Sequence, residues 1–88
     1  MTEKTLTTYQ RWDGIAKTIM KGKKIVDVGY LDKSEAEHYA WFNRGVWFQL
    51  DDGTRLICMR DDEGNDAGVL AYIHKEVDAV LPVIGMDD

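Results

Sequence analysis

Asp51-Asp52-Gly53-Thr54 stands between two runs that alternate apolar and polar side chains, and little but a tight hairpin satisfies both. Asp-Gly readily supplies the positive φ that such a turn requires. Before it, residues 46–50 (VWFQL) place Val46, Phe48 and Leu50 on one face and Trp47 and Gln49 on the other. A period of two is that of a strand. After it, residues 55–60 (RLICMR) return as the second strand. A turn-rich loop, DDEGNDAG at 61–68, then leads into VLAYI at 69–73, expected as the third strand of an antiparallel meander. Residues 74–78 read as a loop or one helical turn. AVLPVI at 79–84 reads as a last strand, with Pro82 at an edge or an end because it has no amide hydrogen.

Upstream the period changes to that of a helix. Tyr9, Trp12, Ile15, Ala16, Ile19 and Met20 recur three or four apart, so they share one face. Thr7 or Thr8 serves as N-cap, Lys17 and Lys21 suit the C-terminal end of the dipole, and Gly22 ends the helix. The pattern predicts a helix over about 8–21. Residues 24–31 (KIVDVGYL) alternate again and predict a strand. A short helix over about 33–40 follows, with Ser34/Glu37 and Asp32/Glu35 as rival capping boxes, and Asn43 and Gly45 turning the chain out of it.

At 88 residues the chain is one domain, 1–88, with residues 1–5 and 85–88 as flexible tails. Its 44% hydrophobic and 31% charged residues are those of a folded domain rather than a disordered one. The expected fold class is α+β: an N-terminal helix and a short second helix packed on a twisted, mainly antiparallel sheet of four to five strands. No apolar run is long enough to span a bilayer, and no charged-then-apolar leader is apparent, so neither a membrane protein nor a secreted precursor is expected.

Charge narrows the partners. Eleven Lys and Arg stand against sixteen Asp and Glu, for a net charge of −5. Residues 1–30 hold six cations and three acids, whereas the remainder holds five cations and thirteen acids. Nucleic-acid binding rests on neutralising phosphates, so direct binding is not expected of an acidic chain. Cys58 is the single cysteine, which excludes an intramolecular disulfide and fits a reducing cytoplasm.

Few residues suggest chemistry. The acidic loop Asp61, Asp62, Glu63, Asn65 and Asp66 begins like a calcium loop, but the sixth and twelfth positions hold Asp66 and Tyr72 instead of glycine and glutamate. Its commonplace reading is a loop whose Asp and Asn side chains bond their own backbone. His38, His74 and Cys58 lack the local pairing of a zinc site, and Glu35-x-x-His38 lacks the second motif that a di-iron bundle needs. Cys58 alternates with Leu56 and reads as a buried small hydrophobe. Lys17, Lys21, Lys23 and Lys24 gather at a helix C-terminus, where the dipole repels anions. No metal, cofactor or catalytic constellation is expected.

The aromatic residues carry more. Trp41, Phe42 and Trp47 bracket Arg44, with His38 and Tyr39 just before. Trp47 lies on the strand face opposite Val46, Phe48 and Leu50, so either the protein's own helix or a partner covers it. Exposed Trp and Arg are enriched at binding hot spots. The candidate binding surface is therefore Trp41, Arg44 and Trp47 with Asp61, Asp62, Glu63, Asn65 and Asp66.

LDDGT at 50–54 followed by RDDEGNDAGVL at 60–70, with KIVDVGYLDKSEAE at 24–37 before and LPVI at 81–84 after, resembles a group of small bacterial and phage proteins. The resemblance implies that the 61–68 loop matters to the group; it assigns no catalytic residue. The functional reading from the residues is a small non-enzymatic interaction protein whose partner is another protein or a second copy, as a homodimer. The rivals are a binder of a nucleotide-like ligand, clamped by Arg44 and an aromatic pair, and an acidic inhibitor of a basic partner.

Overall fold

The computed structural model describes residues 5–87; Met1 to Lys4 and Asp88, parts of the expected tails, lie outside them. The chain is α+β, with two helices and seven short strands among the described residues: α1 (Thr8–Met20), β1 (Ile25–Tyr30), α2 (Lys33–His38), β2 (Asn43–Arg44), β3 (Val46–Leu50), β4 (Arg55–Ile57), β5 (Leu70–His74), β6 (Val77–Leu81) and β7 (Ile84–Gly85). No helix among them is long and apolar enough to cross a membrane.

Local chemistry sets the helix starts. Thr7 accepts from Gln10 N, and Gln10 returns the bond to Thr7 N, a reciprocal cap for α1. Asp32 and Glu35 do the same for α2, so this box prevails over Ser34/Glu37. α2 stops earlier than expected because Ala40 turns left-handed (φ 61) while Trp41 N donates to Ala36 O, closing the last turn.

The strands form three small sheets, not one of four to five strands: β1–β3–β4, β2–β7 and β5–β6, all antiparallel. The Asp51–Thr54 turn joins β3 to β4 as expected, with Gly53 at φ 91. Val28, Phe48 and Leu56 are register partners on one face of the first sheet; Gly29, Trp47 and Ile57 are partners on the other. Leu31, Ala36, Trp41 and Ala67 form the buried cluster, and Trp47, Ile57, Val83 and Met86 pack against it. The short helix α2 thus lies on the Trp47 side of the sheet.

Two expected placements differ. The third strand of the meander does not join β4, because residues 58–68 close on themselves. Arg60 N donates to Asp66 O, Gly68 N donates to Cys58 O, and Met59 bridges to Ala67. The chain then leaves as a separate ribbon, β5–β6, reversing through Lys75 (φ 49) and Glu76 (φ 68) where a loop was expected. The other difference is α1, which covers no sheet and buries none of its residues. Its link to β1 is tied elsewhere: Lys23 Nζ binds Asp52 at 2.7 Å and Asp51 N donates to Lys24 O. At the C-terminal end, Gly85 pairs with Asn43 and Met86 packs on the core, so residues 85–86 are held in place rather than loose.

Candidate functional site

The acidic loop is built inward. Asp61 accepts from Glu63 N, Asn65 N and Asn65 Nδ2 at 3.0–3.2 Å. These bonds, led by those from Asn65, hold the Asp61 carboxyl below its ordinary range. Asp66, only 6% exposed, accepts from Ala67 N at 2.8 Å and from both Asn43 N and Asn43 Nδ2 at 3.1 Å. Burial pushes the Asp66 carboxyl up, but these donors, with Phe42 N, outweigh it and leave the group lowered. The Trp41 indole, 5% exposed, donates from Nε1 to Gly64 O at 2.8 Å. The loop therefore clasps Trp41, and Asp62 and Glu63 are its outward acids.

The proposed aromatic surface is divided by the same packing. Trp41 is in the core and stacks on Tyr39 at 4.8 Å. Trp47 is half-buried beneath the Arg55 guanidinium, 4.4 Å from the ring. Arg55 in turn pairs with Glu35 at 3.0 Å, and the Asp32 amide followed by Arg55 holds Glu35 below its usual range. Arg44 is half-buried in β2, opposite Ile84. Trp47 is covered from within the chain. Of the aromatic group, Phe42 is the strongly exposed member.

Among the described residues no three His, Cys, Asp or Glu side chains converge on a metal position. His38 lies edge-on to Tyr39 at the end of α2, and His74 precedes the β5–β6 turn. Burial pushes the half-buried Cys58 thiol up, away from thiolate reactivity.

Exposed apolar side chains lie on elements that the sequence reading expected to pack: α1, the β5–β6 ribbon and, at Ile25, Val26 and Val28, β1. α1 presents Tyr9, Trp12, Ile15, Ile19 and Met20, with Leu6 preceding, as an open stripe. A groove of about 410 Å³ runs beside it between Leu6, Gly14, Ile15, Thr18 and Ile19, walled by the helix on one side alone. The ribbon presents Tyr72, Ile73, Val77 and Val80. A 3.6-residue period marks which side of a helix is apolar but not whether its cover belongs to the same chain; the hint in the sequence was the basic N-terminal third, residues 1–30, beside an acidic remainder.

No protein-family model matches the chain, and no curated protein or solved structure matches it.

Proposed function

We propose that the protein is a non-enzymatic interaction module that engages another protein chain through the apolar stripe of α1. One observation carries the reading: a 13-residue capped helix stands with Trp12 60% exposed and no residue buried. Large contiguous apolar surface of this kind marks interaction sites. Trp, Tyr and Arg are the residues enriched at hot spots; Tyr9 and Trp12 share the stripe, and the Arg11 guanidinium lies 5.8 Å from the Trp12 ring.

Affinity capture with the wild-type chain and with Trp12→Glu/Ile19→Glu, run side by side, tests this. The expected result is a protein species, the chain itself included, that co-purifies with wild type and is missing from the variant. Equal capture by both, or no protein specific to wild type, overturns the reading.

The ligand-clamp alternative is less well supported, because the rings a base would stack on are already occupied by Tyr39 and Arg55. The outward acids Asp62 and Glu63 favour the acidic inhibitor as the second reading; its binding would weaken as salt rises.

A further inference from the structure

Among the described residues α1, the β5–β6 ribbon and β1 (Ile25, Val26 and Val28) carry apolar surface that nothing covers, and of these α1 and the ribbon each have what the other lacks. α1 is a helix without a sheet to lie on. β5–β6 is a two-stranded ribbon without a helix, and such a ribbon is marginal in water on its own. Register places Ala71, Ile73, Asp78 and Val80 on one of its faces, where Ile73 is 77% exposed and Val80 is also open.

The surface as a whole is larger than that of a compact monomer of this mass. A chain of 10.1 kDa is expected to expose about 5,300 Å² as a compact monomer. This one exposes 7140 Å². The excess, about 1,800 Å², is more than twice the ~800 Å² that each partner gives to a standard interface. The radius of gyration is likewise 15.9 Å, against about 12 Å for a compact chain of this length.

Charge selects what covers α1. Residues 5–24 hold five cations and one acid; residues 25–87 hold five cations and thirteen acids. Pairing α1 with another α1 would bring two basic segments together, whereas the acidic body of a second copy attracts it. Addition along the free side of β1 is blunted, because Asp27 takes the Val28 amide and the strand bulges between Ile25 and Asp27. The Lys23–Asp52 and Asp51–Lys24 ties fix the linker that would have to move for α1 to reach its own ribbon.

We infer that the partner is a second copy, and that α1 of each copy lies across the Ala71–Ile73–Val80 ribbon face of the other in a two-fold homodimer. This rests on the interaction reading above and names its partner. The dimensions suit the contact: a 13-residue helix is about 20 Å long, and five-residue strands are about 17 Å.

Complementation tests it. Trp12→Glu and Ile73→Glu both alter exposed side chains, and circular dichroism checks that each variant keeps its fold. Sedimentation velocity is expected to show a doubled mass for wild type at micromolar concentration, and at least tenfold weaker association for either variant alone. Mixing the two variants is expected to restore dimer where neither forms it alone, because one of the two contacts then has wild-type residues on both sides. Three results each overturn the inference: a monomeric wild type, a variant that still dimerises as wild type does, or a mixture that stays monomeric. A monomeric wild type that captures a different protein through α1 ends the second-copy inference and leaves the interaction reading standing.

Discussion

A Cβ on Gly68 would run into the carbonyl of Met59 and the amide of Arg60, neither of which can move without opening the loop. Gly68→Ala is therefore expected to cost at least about 2 kcal/mol, read as a lowered denaturant midpoint. Its neighbour Asp66 holds the amides of Ala67 and Asn43. Asp66→Ala leaves those donors without their acceptor, for a loss of about 1–3 kcal/mol. Ala40 works in the other direction, because its left-handed backbone suits glycine. Ala40→Gly is expected to gain about 0.5–1 kcal/mol by the same measurement. These residues show what the sequence hid at the site. The self-bonding of Asp61 was the commonplace reading of the loop and is what it does, whereas nothing local marked Asp66 as the acid that anchors the loop to β2 through Asn43.

Elements with local signals were legible. An N-cap at Thr7 or Thr8, a capping box at Asp32/Glu35 or Ser34/Glu37, and Asp52-Gly53 are signals within four residues, and α1, α2 and the β3–β4 hairpin start or turn there. β5–β6 was not legible as a hairpin, because its turn is Lys75-Glu76, with no glycine or asparagine to announce positive φ. The strand order failed for a different reason: period two tells which side chains share a face, not which strand lies alongside. Replacing the turn with Lys75→Asn/Glu76→Gly is expected to stabilise the ribbon by about 1 kcal/mol, since both positions would then accept their left-handed backbone. Slower amide exchange along Leu70–Leu81 would register it, and unchanged exchange would count against strain at the turn.

Across the whole molecule, acid is the weak point. Asp52, Glu35, Asp61 and Asp66 all bind protons less tightly than free carboxyls do: Asp52 through Lys23 and Thr54, Glu35 through the Asp32 amide and Arg55, and Asp61 and Asp66 through the donors of the loop. Each lowered group adds stability that is complete above the unfolded carboxyl value and is lost as pH falls through the folded one. The melting temperature is thus expected to hold from neutrality down to about pH 5 and to fall steeply below about pH 4. Asp66→Asn should shallow that fall; an unchanged slope would show that Asp66 does not contribute to it. The three tryptophans are divided among environments, with Trp12 open on α1, Trp41 sealed in the core and Trp47 under Arg55. The molecule consequently carries its own optical gauge. The water-exposed component of its fluorescence belongs to Trp12, so a blue shift that disappears in Trp12→Phe reports the covering of α1 without a dye, while emission from the other two follows the melting of the body.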